Sequence, residues 1–210
     1  MLELLDTHRV LVVENHLVGR CGRQYFDFFK ANGEESFLDG GSLDGKTSMD
    51  FLKWCNGNYN EIYAFEPNPK VADLCKRRLQ YVERCTFYEK ALWSEDGTIW
   101  FDNYNKGKWD ACISNSGNIS VECVSIDSIM KEKYISFIKL DVEGAELEVL
   151  HGAKECIIKN KPRMAISVYH HAEDLFLIAD FLMKLDPAYK FAIRHYHSDT
   201  IETVLYVFEG

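Results

Sequence analysis

The chain has 210 residues, of which 47% are apolar, and a formal net charge of −9. This length and apolar content suffice for a single domain with a sizeable core. An acidic chain without a basic block argues against nucleic acid or an anionic membrane as the main partner. No apolar run reaches about 18 residues, so the sequence predicts no transmembrane segment. The first residues also lack the basic-then-apolar order of a secretory signal.

Seven cysteines are dispersed along the chain, and none of them forms a C-x-x-C pair. An odd, scattered set is typical of reduced core thiols in a cytoplasmic protein, and it does not suggest disulfides or zinc ligands. We therefore expect a cytoplasmic protein whose cysteines contribute to packing. The sequence does not define the oligomeric state.

Two segments fall outside a regular alternating pattern. Residues 1–34 are predicted to form a helical lead-in that packs on a main domain of residues 35–210. Within it, Gly22–Lys30 carries aromatic residues at a spacing typical of an amphipathic helix that faces a core. The second segment, from Asp96 to Gly117, is rich in glycine, asparagine and aromatic residues. We interpret it as a short hairpin or loop excursion beside the site, which would act as a substrate lid.

From residue 35 onward, strand-like apolar runs alternate with helix-length amphipathic runs. The strand candidates are Ser36–Asp39, Ile62–Phe65, Thr86–Tyr88, Val121–Ser125, Phe137–Leu140, Met164–Tyr169, Phe191–His195 and Val204–Phe208. The helix candidates are Lys46–Cys55, Pro69–Tyr81, Ala145–His151 and Ala172–Leu185. This order predicts an α/β fold of βαβ units around a mostly parallel sheet. A short polar stretch separates the last two strands, so we expect a hairpin and one antiparallel edge strand.

The stretch Glu35–Gly45 has the order strand, glycine turn, helix start. Its apolar run ends at Asp39, and the turn that follows contains Gly40, Gly41, Ser42 and Gly45. Glycines permit positive φ and let a ligand approach the main chain, while the helix start offers unpaired N–H groups. A carboxylate at this position suits a ligand with an ammonium, a sulfonium and a ribose, such as S-adenosylmethionine, better than a pyrophosphate. An ordinary turn in which Asp39 caps the next helix is an equally weighted alternative.

The next two strand ends also carry polar groups, and ligands of open α/β sheets bind at such ends. Glu66-Pro67 follows the second strand, about 20 residues beyond the glycine turn, where a carboxylate accepts ribose hydroxyls. Glu89, or the backbone near Ala91, follows the third strand and would face the base of a nucleotide. The alternatives are that Glu66 stabilises a helix N-terminus and that Glu89 forms a solvated ion pair.

Three carboxylates, Asp141, Glu143 and Glu146, follow a further strand, and His170 follows the strand after that. A carboxylate facing a sulfonium stays ionised, and a carboxylate or histidine beside a substrate hydroxyl can act as a base. Helix capping is the alternative, and it fits Glu146 best and Asp141 least. Asp141, Glu143 and His170 could also converge on a divalent cation. No ligand spacing demands one, and we predict no metal ion.

The run FIKLDVEGAELEVLHGA at Phe137–Ala153 resembles the signature of the FkbM-type methyltransferases. Supporting pieces are FLDGGSLDG, YAFEPNP, KALWSEDG, VSIDSI and ISVYHH, and together the resemblance covers roughly residues 35–210. It implies the Rossmann-like class I methyltransferase fold, with a mostly parallel seven-stranded sheet, one antiparallel edge strand and helices on both faces. It also implies methyl transfer from S-adenosylmethionine to a hydroxyl, commonly of a sugar, glycolipid or polyketide-like product.

Carried over by position, the resemblance implies that the glycine turn holds the methionine part of the cofactor and Glu66 its ribose. Glu89–Leu92 would border the adenine, and Asp141 would lie near the methyl group. The residues predicted to bind the cofactor are thus Asp39, Gly40, Gly41, Ser42, Gly45, Glu66, Pro67, Glu89, Ala91, Leu92 and Asp141. The turn departs from the family pattern D-x-G-A-N-x-G, because Leu43 stands where the asparagine is usual.

The predicted catalytic residues are Asp141, Glu143 and His170. A substrate hydroxyl would approach the methyl group in line, and His170 or Glu143 would remove its proton. We expect a small-molecule or glycan acceptor and no nucleic acid. Two alternatives remain open: a cofactor-binding partner subunit without catalysis and, less in keeping with the glycine spacing, a nicotinamide-dependent oxidoreductase.

Overall fold

The computed structural model describes residues 10–14, 24–101, 119–197 and 201–210. Its strands are β1 (Val10–Glu14), β2 (Glu35–Gly40), β3 (Tyr59–Phe65), β4 (Cys85–Tyr88), β5 (Ala91–Leu92), β6 (Gly97–Phe101), β7 (Ile119–Val124), β8 (Phe137–Leu140), β9 (Arg163–Ser167), β10 (Tyr189–His195) and β11 (Thr203–Glu209). Its helices are α1 (Lys46–Trp54), α2 (Pro69–Leu79), α3 (Ile126–Ile129), α4 (Glu146–His151), α5 (Lys154–Asn160) and α6 (Asp174–Leu185).

Eight strands form the main sheet in the order β1-β10-β11-β9-β8-β2-β3-β4. β11 runs antiparallel to both of its neighbours, and the other neighbouring strands pair in parallel. The mostly parallel α/β architecture is therefore confirmed. The antiparallel strand β11 lies inside the sheet, because it pairs with β10 on one side and β9 on the other, and β1 extends the sheet beyond β10.

A second, three-stranded sheet has the order β5-β7-β6. The strand predicted over Val121–Ser125 belongs to this sheet, and β6 pairs with it in an antiparallel register. β6 thus occupies the start of the predicted excursion from Asp96 to Gly117, and β7 begins two residues beyond its end. Residues 102–118 lie outside the described residues, so the lid stays a prediction.

The four predicted helices are present with ends shifted by up to two residues. α2 begins at Pro69 because the Asn68 side chain accepts a hydrogen bond from the N–H of Lys70, and proline suits the first helical position. Its buried residues Ala72, Cys75 and Leu79 recur every three or four positions and face the sheet. The sequence pattern missed α3 and α5, which are only four and seven residues long.

Both faces of the main sheet are buried, as expected for parallel strands covered by helices. Along β2, Phe37 packs into the aromatic cluster on one face, where its ring stacks on Phe51 at 4.4 Å. The next residue, Leu38, packs into the larger aliphatic cluster on the other face. This alternation makes β2 a rigid base for the glycine turn that follows it.

The helix expected over Gly22–Lys30 is wrong for residues 24–29, which form turns and bends. Tyr25 has a φ of 73°, which is incompatible with a right-handed helix. Within this segment, Phe26 is 1% exposed and its ring contacts Phe37 and Phe137. β1 adds a strand to the sheet, and residues 1–9 and 15–23 of the lead-in lie outside the described residues.

Five cysteines in the described part of the chain, Cys55, Cys75, Cys85, Cys123 and Cys156, are free thiols, and four of them are buried. Cys21 and Cys112 lie outside the described residues. Among the described helices, none combines the length and apolar character that a membrane crossing requires.

Candidate active site

The predicted site residues occupy five consecutive strand ends. Reading along the parallel part of the sheet, His170 follows β9, Asp141 follows β8, Gly41 follows β2, Glu66 follows β3 and Glu89 follows β4. Parallel strands end at the same edge, with neighbouring strands about 4.8 Å apart. The chain leaves β2 toward β3 and later returns to β8 on its other side, so this edge contains the topological switch point where ligands bind.

The glycine turn is wedged against the start of the loop after β8. Gly41 has a φ of +75°, and a Cβ at this position would lie 1.8 Å from the carbonyl oxygen of Asp141. The N–H of Asp141 in turn donates to the carbonyl oxygen of Gly40 at 3.1 Å. Only glycine permits this approach, which fixes the position of Asp141 relative to the turn.

Asp39 supports the turn from inside the protein. Its side chain is fully buried, its Oδ2 accepts a hydrogen bond from Ser48 at 2.7 Å, and its Oδ1 lies 3.2 Å from Lys139 Nζ. Lys139 also donates to the carbonyl oxygens of Gly40 and Gly41 at 3.0 and 2.7 Å. Of the acids expected to surround one ligand, Asp39 therefore faces away from the surface, and its contact with a cofactor would be indirect.

The amides of the turn are already engaged. The N–H groups of Gly41 and Ser42 donate to the carbonyl oxygen of Phe65 at 3.1 and 2.9 Å, and the N–H of Gly45 donates to Ser42 at 2.7 Å. Ser42 is 1% exposed and also donates through Oγ to Phe65. These backbone N–H groups are therefore already used within the protein, and the turn would contribute to ligand binding mainly through its shape.

Leu43 is the residue at which the turn departs from the family pattern. Its φ of 49° lies in the left-handed region, which asparagine tolerates much better than leucine. The side chain is 44% exposed, so no packing requirement in the described residues compels leucine here. Leucine at this φ therefore adds strain that asparagine would reduce.

Glu66 closes the turn from the side of β3. Its two carboxylate oxygens accept hydrogen bonds from the N–H groups of Leu43 and Asn68 at 2.9 and 2.8 Å. Burial raises the pKa of Glu66, and these backbone hydrogen bonds oppose the rise. Each oxygen keeps further acceptor capacity for a hydroxyl. Pro67 is half-buried beside it.

Of the predicted site residues that follow β4, one lies at the surface and two are buried. Glu89 is exposed and pairs with Lys76 of α2, which agrees with the solvated ion pair considered above. Ala91 and Leu92 are buried in β5. A Cβ on Gly40 would lie 3.0 Å from Leu92 Cδ1, so Leu92 packs directly behind the turn. An apolar wall at this position suits a flat aromatic base.

Four side chains after β8 and β9 form what we call the carboxylate–histidine cluster: Asp141, Glu143, Glu146 and His170. His170 Nδ1 lies 3.1 Å from Glu146, and His170 Nε2 lies 3.4 Å from Glu143 and 3.7 Å from Asp141. Burial lowers the pKa of His170, but the surrounding carboxylates outweigh it and raise this pKa to about 10. Glu146 also accepts a hydrogen bond from the N–H of Val142 at 2.8 Å, in the loop before α4.

The arrangement favours Glu143 over His170, the two residues predicted as candidates for the general base. Both ring nitrogens face carboxylates of the protein, so neither is directed toward a substrate hydroxyl. Glu143 has a side chain that is 39% exposed, against 23% for Asp141 and 1% for Glu146. The carboxylate best able to meet a substrate is therefore Glu143, with His170 behind it.

Sequence reasoning missed two tyrosines that hold Asp141. Tyr25 donates to Asp141 Oδ2 at 2.9 Å, and Tyr169 donates to Oδ1 at 3.1 Å. Burial and the charge of Asp141 raise the pKa of both phenols, which therefore remain donors. Tyr169 stands beside His170 at a strand end and could have been noticed there. Tyr25 comes from the lead-in, where its aromatic ring suggested only packing.

Comparison with known proteins adds independent information. The family model described as "Methyltransferase FkbM domain" matches residues 39–193, which is most of the chain. A curated relative, the 2-O-methyltransferase NoeI of Sinorhizobium fredii (strain NBRC 101917 / NGR234), is 28% identical, and the alignment covers 59% of each protein.

Solved structures share the fold. The methyltransferase FkbM from Methylobacillus flagellatus KT superposes with a TM-score of 0.74 at 24% identity, over 88% of this chain and 46% of that one. Fibrillarin from Aeropyrum pernix, solved with natively bound S-adenosyl-L-methionine, superposes with a TM-score of 0.56 at 11% identity, over 84% of this chain and 68% of that one. The chain thus spans less than two thirds of the curated relative and of the FkbM structure.

Proposed function

Since the chain belongs to the FkbM methyltransferase family, we propose that it transfers the methyl group of S-adenosylmethionine to a hydroxyl of a sugar, glycan or related small molecule. The observation that carries this proposal is the row of strand ends from His170 to Glu66. It aligns the glycine turn with carboxylates on both sides. A relative named as a 2-O-methyltransferase supports transfer to oxygen. The fold shared with a protein that binds S-adenosyl-L-methionine supports the choice of methyl donor.

The residues present fit this cofactor. Glu66 keeps acceptor capacity for ribose hydroxyls beside the turn, and Ala91 with Leu92 provides an apolar border for adenine. Asp141 is a partly exposed carboxylate at the switch point, where a negative charge favours a sulfonium. The cofactor, when bound, supplies an activated methyl group, and the protein supplies its orientation.

Within this proposal, the cluster prepares the acceptor. Tyr25 and Tyr169 fix the carboxylate of Asp141, so that its orientation does not depend on the ligand. Glu143, the most exposed acid of the cluster, accepts the proton of the substrate hydroxyl, and the ring of His170 lies 3.4 Å behind it. Most of the rate then comes from holding the hydroxyl and the methyl group in line.

Cofactor binding can be tested by titrating the protein with S-adenosylhomocysteine in a calorimeter. We expect saturable binding that Glu66→Gln weakens at least about tenfold, because ribose hydroxyls lose a charged acceptor. Glu83→Gln is the matched control, since Glu83 is exposed in the loop before β4. A wild-type protein that binds neither this ligand nor S-adenosylmethionine would refute the proposal, and an NADH titration tests the oxidoreductase alternative.

Transfer itself can be followed with a methyl-labelled donor and a panel of sugars, oligosaccharides and hydroxylated aromatic compounds. Label in an acid-stable ether on one class identifies the acceptor. Glu143→Gln should lower turnover more than it weakens donor binding. Donor binding without transfer to any member of the panel would instead favour the non-catalytic partner subunit.

A further inference from the structure

The carboxylate–histidine cluster has the composition and the compactness of a metal site. Asp141, Glu146 and His170 can each present one ligand atom so that all three atoms lie within 4.8 Å of one another. They come from the ends of β8 and β9 and from the first position of α4, so the rigid sheet determines their separation. Two carboxylate oxygens and one imidazole nitrogen suit a first-row divalent ion.

A second observation points to a ligand. Glu146 is 1% exposed, and its Oε2 has no hydrogen-bond partner within the part of the chain that the structure describes. Both ring nitrogens of His170 likewise make no hydrogen bond there, although carboxylate oxygens of Glu146 and Glu143 lie 3.1 and 3.4 Å away. Buried polar atoms are nearly always satisfied, so three unsatisfied atoms in one cluster require an explanation.

The charge balance points in the same direction. Asp141, Glu143 and Glu146 lie around a single imidazole ring. Lys139, the buried cation of β8, is held by Asp39 and by the carbonyl oxygens of the turn. Three carboxylates therefore share one imidazole ring, and a divalent ion would offset this excess of acidic groups.

Neighbouring groups hold two of the cluster's carboxylates by hydrogen bonds. Tyr25 and Tyr169 donate to the two oxygens of Asp141, and the N–H of Val142 donates to Glu146 Oε1. Hydrogen bonds of this kind orient carboxylates that bind metals and are a usual part of such sites. Each of these oxygens retains a lone pair for coordination.

We propose that Asp141, Glu146 and His170 bind a divalent metal ion such as Mn²⁺. Three protein ligands leave coordination positions open, and oxygen atoms of an acceptor hydroxyl or of a neighbouring hydroxyl fill them. This differs from the sequence-based expectation of no metal. The binding of the ion is independent of the proposed function, whereas its use in orienting an acceptor rests on that function.

The test titrates the full chain, stripped with a chelator and free of methyl donor, with Mn²⁺. Loss of the free Mn²⁺ signal in electron paramagnetic resonance measures bound ion, and a rise in melting temperature measures coupling to the fold. We expect one ion per chain, with an affinity that Glu146→Gln and His170→Ala each lower at least about tenfold. Glu148→Gln is the matched control, since Glu148 lies two positions along α4 with a side chain 44% exposed.

Two results would overturn the inference. One is no saturable binding of Mn²⁺, Zn²⁺ or Mg²⁺ to the wild-type chain at millimolar concentration. The other is binding that Glu146→Gln and His170→Ala leave unchanged, with both variants folded by circular dichroism, because the ion would then sit elsewhere. Metal binding without S-adenosylhomocysteine binding would retain this site and reject the proposed function, so the two failures are distinguishable.

Discussion

Replacing Gly41 with alanine tests whether the glycine turn and the loop after β8 form one rigid unit. The added Cβ would meet the carbonyl oxygen of Asp141 at 1.8 Å, whereas real Cβ atoms essentially never come closer than 3.0 Å. The two segments must therefore separate by about 1.2 Å at a point where both follow neighbouring parallel strands. The substitution should affect folding and ligand binding together.

The expected magnitude has two parts. A non-glycine residue at positive φ costs about 1–2 kcal/mol, and forcing packed segments apart costs roughly 1–3 kcal/mol more. Gly57→Ala isolates the first part, because Gly57 has a φ of +73° and nothing within 4 Å of the added Cβ. Gly41→Ala should thus destabilise the protein by about 2–5 kcal/mol and Gly57→Ala by about 1–2 kcal/mol.

Urea denaturation followed by circular dichroism gives both free energies of unfolding, and calorimetry with S-adenosylhomocysteine gives the affinity. Gly41→Ala should also weaken binding, since it displaces Asp141, while Gly57→Ala should leave binding unchanged. Equal losses of stability in the two variants would show that the turn is not wedged against Asp141, and the reasoning about the site geometry would fail.

Three further substitutions test separate contacts by denaturation. Leu43→Asn should stabilise the fold by about 0.5–1 kcal/mol, because asparagine tolerates a φ of 49° better than leucine; a loss of stability would contradict the strain argument. Tyr169→Phe should cost about 1.5–3 kcal/mol by removing a donor to the charged Asp141, and no measurable cost would mean that this hydrogen bond is unimportant. Lys139→Met should cost about 3–5 kcal/mol, because it leaves Asp39 buried without its cation; a neutral result would show that Ser48 alone suffices.

The fold could be predicted where sequence periodicity and burial agree. β8 was predicted with its observed ends, because three of the four residues Phe137–Leu140 are apolar and the residues on either side are polar. The sequence did not predict α3 and α5, because a helix of one or two turns is too short to show the helical spacing of apolar residues. β1 was not predicted because a short apolar run such as Val10–Glu14 fits a strand or a buried helix segment equally well, and its partner β10 lies far along the chain.

The candidate site was predicted where motif and strand end coincide, as at Asp141 and Glu66. The site was not predictable where a residue contacts another that is distant in the sequence. Tyr25 reaches Asp141 across 116 positions of sequence, and its role depends on a turn whose φ no local pattern indicates. The direction of His170 likewise depends on Glu146, which local spacing identifies only as a helix cap.

The internal position of β11 has a consequence for how this protein can be divided. The stretch matched by the family model ends at residue 193, ten positions before β11 begins. A polypeptide trimmed to that stretch would lose the strand that joins β9 to β10, along with the phenol of Tyr25 on the other flank. The stretch that the family model matches therefore lacks a strand on which the pairing of the described sheet depends.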